Sequence, residues 1–120
     1  MIKGVHTMFY SSQPDELRAF FRDKLGFKAT DVGHGWLIFD IPEAEIGCHP
    51  LETDQGQVAS GTPSISFYCA DIRSTVAELK DRGVEFVGEI ADVGFGLSTQ
   101  FKAPGDFEIM LYQPHYTVNR

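Results

Sequence analysis

The stretch Gly4-Val5-His6-Thr7-Met8-Phe9-Tyr10, followed by a helix that closes at Leu25-Gly26-Phe27, decides how the chain is organised. Strand parity puts His6, Met8 and Tyr10 on one face and Val5, Thr7 and Phe9 on the other. A similar stretch returns later, where Ser64, Ser66 and Tyr68 alternate with Ile65, Phe67 and Cys69 ahead of a second helix. Phe9-Tyr10 and Phe67-Tyr68 lie 58 residues apart and the helix-closing Gly26 and Gly83 lie 57 apart, so the copies agree within one residue. In each copy the apolar face suits a covering helix, and the mixed face is where function is expected.

Working outward, Ser11-Ser12-Gln13-Pro14-Asp15-Glu16 reads as a helix start, with capping serines, a first-turn proline and acids near the positive end of the helix dipole. Leu17, Phe20, Phe21 and Leu25 then form the stripe of a helix lying on a sheet, and Gly26 supplies the left-handed stop. Strands are predicted over 2–11, 27–31, 36–41 and 45–49, with Gly33-His34-Gly35 as a turn and Pro42 and Pro50 as stops. Periodicity is lost from Leu51 to Pro63, which predicts a linker. Beyond it come a strand over 64–70, a helix capped by Asp71 with Ile72, Val76 and Leu79 on one side, and strands over 84–89, 94–102 and 107–113. Each half reads β-α-β-β-β. The expectation is an α+β fold: two βαβββ modules (1–52 and 63–120, linker 53–62) forming a curved eight-stranded mixed sheet around a cleft, with the helices on the outer face.

At 120 residues, 42% hydrophobic and 22% charged, the chain suits one globular domain able to bury a core without metals or disulfides. A net charge of −7 argues against nucleic acid as a partner and mildly favours neutral or cationic ligands, although an acidic balance commonly serves solubility alone. No apolar run approaches a transmembrane helix and no basic-then-apolar leader opens the sequence, so no membrane partner and a cytoplasmic location are expected. Cys48 and Cys69 sit in strand-like runs without Cys-x-x-Cys spacing and read as small buried hydrophobes. Neither a phosphate loop nor a Ser-His-Asp constellation around Ser66 is present.

Val5-His6-Thr7-Met8, the helix with Phe20-Phe21 and the run Lys24-Leu25-Gly26-Phe27 resemble the opening of glyoxalase I and its relatives in the vicinal oxygen chelate superfamily. Ile65-Ser66-Phe67, Asp71-Ile72, Val76 to Val84, and Ala103-Pro104-Gly105-Asp106 before Leu111-Tyr112-Gln113-Pro114 are similar to its second module. The resemblance spans essentially the whole chain and is specific for fold rather than reaction. It implies a small-molecule ligand in the inter-module cleft, a homodimer, and in metal-dependent members a divalent ion (Zn, Ni, Co, Mn or Fe) held by one residue on the first and last strand of each module. His6 falls on the first of those positions, and either Glu45 or His49 on the second. The third falls on Ser64, where metal-binding relatives often carry His. The fourth falls on Met110, or on Glu108 if a bulge shifts the last strand. The resemblance thus offers His6, His49 and Glu108 as metal ligands, Glu108 or Glu45 to move a proton, and Tyr10, Trp36, Ser64, Tyr68, Met110 and Tyr112 as the substrate-binding wall. Two functions follow from it: a metal-dependent lyase, isomerase or dioxygenase, and a metal-free protein that binds or sequesters an antibiotic or metabolite, as the bleomycin-resistance relatives do.

Overall fold

The computed structural model describes residues 1–119. A first helix, α1 (Pro14–Ala19), runs on through a π-helical turn over Phe20–Lys24, and the second helix, α2, spans Ile72–Asp81. The strands are β1 (Lys28–Asp31), β2 (Leu37–Asp40), β3 (Glu52–Thr53), β4 (Gly56–Gln57), β5 (Ser66–Tyr68), β6 (Phe86–Asp92), β7 (Gly96–Ala103) and β8 (Phe107–Pro114). The α+β class expected from the sequence is what the chain adopts.

The second half closes as a β-α-β-β-β unit. Asp71 caps α2, its Oδ1 accepting from the backbone N–H groups of Arg73 (3.1 Å) and Ser74 (3.2 Å). The strands order as β5-β8-β7-β6, with β5 parallel to β8 and the others antiparallel. Strand β8 is therefore central, and its pairing with β7 runs without a break from Phe107 opposite Ala103 to Pro114 opposite Gly96. Gly96 is required there, because a Cβ would run into the carbonyl oxygen of Gln113. Phe101, Ile109 and Leu111 point inward from the sheet onto Ile72, Val76 and Leu79 of α2 and onto Leu17, Phe20 and Phe21 of the first helix. The two consecutive rings of Phe20 and Phe21 can both reach the core because the π turn, closed by Leu25 N–H donating to the Phe20 carbonyl (3.1 Å), widens the helix there.

The first half is looser than the repeat predicts. Only β1 and β2 form a ladder, and the expected strands over 2–11 and 45–49 carry none, so the eight strands lie in sheets of two, two and four rather than in one. Residues 1–10 form neither helix nor strand, and of them Phe9 packs against the core. Residues 41–50 are drawn toward the second half instead, where Glu43 and Glu45 accept hydrogen bonds from tyrosines of β5 and β8. The predicted linker holds the short β3–β4 hairpin, turning where Thr53 Oγ1 donates to the Gly56 carbonyl (2.8 Å). Ser11, expected as a cap, instead accepts from Gln13 N–H (3.0 Å) and donates to the Pro104 carbonyl (2.8 Å), tying the start of α1 to the β7–β8 turn.

Phe101 is 1% exposed between the rings of Phe20 and Phe86. Phe101→Ala is expected to cost about 3–5 kcal/mol in chemical denaturation, whereas Val87→Ala on the exposed edge strand should stay within about 0.5 kcal/mol. Similar losses for the two would mean that Phe101 is not the keystone of this core.

Candidate functional site

The ends of β5 and β8 and the segment 41–50 meet around a cavity of about 420 Å³ lined by Glu43, Tyr68, Cys69, Ala70, Gln113, Pro114 and Tyr116. Parallel pairing brings Tyr68 beside Tyr112, their ring centroids 6.1 Å apart. Gln113 fixes the floor, its Oε1 accepting from the Ile72 N–H at the start of α2 (3.0 Å). Past Pro114, which ends the strand, the chain turns so that Tyr116 comes back over the cleft.

The polar groups are organised as phenols facing carboxylates. Tyr68 donates to Glu43 Oε2 (3.1 Å), and Tyr112 donates to Glu45 Oε1 (2.7 Å). Tyr116 donates to the same Glu45 oxygen and lies 2.8 Å from the Tyr112 hydroxyl. Burial first, then the neighbouring phenol and carboxylate, push the Tyr112 hydroxyl well above the usual tyrosine range. The bond to Glu45 raises Tyr116 in the same direction. Burial also raises the Cys69 thiol, which disfavours the thiolate. The cleft thus offers ring faces, carboxylate oxygens and protonated phenols, a set suited to holding a ligand.

Of the residues singled out from the sequence, Tyr68, Tyr112 and Glu45 are brought together here. Met110 is half-buried opposite Ser66 and Gln100, and Ser64 is exposed two residues before β5. Tyr10 is 91% exposed on the N-terminal segment. Trp36 lies elsewhere, with the Arg18 guanidinium 4.6 Å over its ring. His6 is exposed beside Val5, and His49 is exposed with Nδ1 2.7 Å from the Pro50 carbonyl oxygen. Because β8 has no bulge, Glu108 stays opposite Lys102 near the Pro104 turn, beside a separate hollow of about 350 Å³. Among the described residues no three His, Cys, Asp or Glu side chains converge as a metal site would require, so His6, His49 and Glu108 do not fit a shared ion in this arrangement. Sequence reasoning missed Glu43 and Tyr116. Glu43 was within reach, since it shares the two-residue period of Glu45, but Tyr116 lies beyond Pro114, where periodicity gives no signal.

The raised Tyr112 hydroxyl sets a pH dependence. Its folded-state pKa exceeds the unfolded value near 10, so the stability it contributes is complete below that pH and declines as pH rises above it. The urea midpoint of the protein should fall above about pH 10, and Tyr112→Phe should flatten that decline. An unchanged alkaline limb in the variant would show that Tyr112 ionises normally.

The glyoxalase/bleomycin resistance protein/dioxygenase superfamily matches this chain over residues 3–111. The uncharacterised protein YetH of Bacillus subtilis (strain 168) is 33% identical over 110 residues, which cover 85% of this chain and 91% of that protein. Among solved structures, the antibiotic-binding protein TnmS3 of Streptomyces sp. CB03234 superposes with a TM-score of 0.63 at 19% identity, covering 95% of this chain and 99% of that one. Lactoylglutathione lyase of Agrobacterium tumefaciens gives 0.57 at 18% identity, covering 89% and 90%. At such identities these two structures speak for the fold alone. The match over residues 3–111, with the closed β-α-β-β-β unit behind it, makes this chain a member of the glyoxalase/bleomycin resistance protein/dioxygenase superfamily.

Proposed function

We propose that this protein binds and sequesters a small organic molecule in the cleft lined by Glu43, Tyr68 and Tyr116, which Glu45 and Tyr112 hydrogen-bond or pack against, and that it does so without a metal centre. The observation that carries the reading is the pairing of three phenols with two carboxylates at one cavity, which Glu43, Tyr68 and Tyr116 line and whose lining includes neither His6 nor Glu108. Such a wall orients a ligand by hydrogen bonds and ring contacts, with no nucleophile and base arranged to react with it. The cleft lies between the two proposed modules, 1–52 and 63–120 with 53–62 joining them, because 41–50 supplies one wall and β5 and β8 the other. The unpaired cysteines Cys48 and Cys69 suit a reducing cytoplasm.

We also propose that the working form is a homodimer. The chain exposes 9019 Å², against about 6,500 Å² for a folded monomer of its mass, and its radius of gyration of 15.3 Å exceeds the roughly 13.6 Å of a compact chain this long. Ile2, Val5, Met8, Tyr10, Trp36 and Ile46 are all exposed in the first half. An excess of about 2,500 Å² per chain is of the order that obligate dimers cover. Light scattering at micromolar concentration should give the mass of two chains, and the mass of one chain would refute the pairing.

The binding reading is tested by screening a metabolite and antibiotic library by thermal shift with chelator present. Ligands that raise the melting temperature should bind equally well to His6→Ala and at least about tenfold more weakly to Tyr68→Ala. Binding that requires added zinc, nickel, manganese or iron, and that disappears in His6→Ala, would instead establish the metal-dependent enzyme.

A further inference from the structure

Resting on that reading of the cleft, we infer that the chain past Pro114 is a gate over it, with His115 as the fixed end and Tyr116 as the latch that opens and closes. Proline has no N–H to donate, and the β7–β8 ladder ends where Pro114 meets Gly96. His115 is nevertheless pinned to the sheet at the β6–β7 turn. Its N–H donates to the Phe95 carbonyl (2.8 Å), and its Nε2 lies 3.4 Å from Asp92 Oδ2, while Asp92 Oδ1 is braced by the Gly94 N–H (2.9 Å). Beyond that anchor residues 116–119 are exposed and form neither helix nor strand, yet Tyr116 lines the cavity and donates to Glu45 on the facing segment. The latch thus joins two segments, 41–50 and 116–119, that strand pairing does not hold in place. Tyr68 and Tyr112 sit on paired strands, so neither ring leaves the cleft without breaking backbone pairing. Tyr116 leaves by rotation at its own residue, with β8 intact. When it does, Tyr112 still donates to the same Glu45 oxygen (2.7 Å), so opening does not strip the carboxylate of its donors. A ligand enters and leaves on the side that Tyr116 closes, and the gate sets how fast it exchanges.

Relaxation-dispersion NMR on the intact protein, with labelled tyrosine rings and backbone amides, tests the gate without a ligand. The Tyr112 ring and the Tyr116 and Thr117 amides should share one microsecond-to-millisecond exchange process, while the Ile109 and Leu111 amides of β8 stay flat. Tyr116→Phe keeps the ring and removes the latch bond. It should raise the open population at least about tenfold, and a neutral gadolinium chelate in solution should then relax the Tyr68 ring protons more strongly than in the native protein. Circular dichroism and unchanged β8 signals check that the variant is folded. Flat dispersion at Tyr112 and Tyr116 in the native protein, or a Tyr112 signal and Tyr68 relaxation unchanged in Tyr116→Phe, would overturn the gate. The same process extending to Ile109 and Leu111 would overturn it too, since β8 would then fray as a whole. Any of these results leaves the cleft reading to the library screen, whereas a screen without a ligand would remove the cleft reading and leave the motion of Tyr116 standing.

Discussion

The structure depends on an aromatic joint. Phe67 of β5 reaches from the second half into the rings of the first, with centroids 6.1 Å from Phe9, 6.0 Å from Phe21 and 5.2 Å from Phe27. Phe21 in turn meets Phe9, Phe20, Phe27 and Phe39. Each such contact is worth roughly 0.5–1.5 kcal/mol beyond the burial of the rings, and edge-on geometry makes the set directional as well as cohesive. With so little ladder in the first half, this cluster rather than backbone pairing holds β1, β2 and the N-terminal segment against the four-stranded sheet.

The ends of the two helices repeat the joint in polar form. Arg82 donates from Nη1 to the Lys24 carbonyl (3.2 Å), and Lys24 donates to the Gly83 carbonyl (3.3 Å). The exchange works because Gly26 and Gly83 both turn left-handed, at φ of 75° and 86°, which ends each helix and bares the carbonyls that the other side chain reaches. A Cβ at Gly83 would come within 3.0 Å of the Lys24 Nζ, so the glycines serve the clasp through close approach as well as through their backbone angle. The same near-equal spacing that marks the repeat in the sequence is thus a contact between its copies.

What local pattern controls was legible in the sequence. The helix stripes and the Asp71 cap depend on spacing alone, and the structure reproduces them. The strands over 2–11 and 45–49 have the right alternation but no ladder, because pairing needs a partner at the right distance and the tyrosines of β5 and β8 hold 43–45 elsewhere. The site divides the same way. Tyr68 and Tyr112 lie on the faces of β5 and β8 away from the core stripe and were found together, whereas the joining of Glu45 to Tyr116 depends on the path of the chain past Pro114. His6, His49 and Glu108 rested on the resemblance, and the unbroken register of β8 keeps Glu108 at the far end of the strand.

That register also decides what chemistry the cleft can support. Of the four strand positions where the resemblance implies chelating donors, His6 takes one and Glu45 or His49 another, but the third carries the Ser64 hydroxyl and the unbulged fourth the Met110 thioether, both weak ligands for a hard or borderline ion. The stronger polar groups lie two residues further along β8, at Tyr112, and across the cleft at Glu43 and Glu45. A phenol ligates a metal well only as its phenolate, and burial together with Glu45 drives Tyr112 away from that form. The same shift makes Tyr112 a poor general acid or base near neutral pH, where a useful proton-transfer group needs a pKa close to the working pH. Kept protonated, it donates one hydrogen bond to Glu45 and presents its ring to Tyr68 and Phe95, so what the hydroxyl gives up in reactivity it returns as a fixed support beside Tyr68.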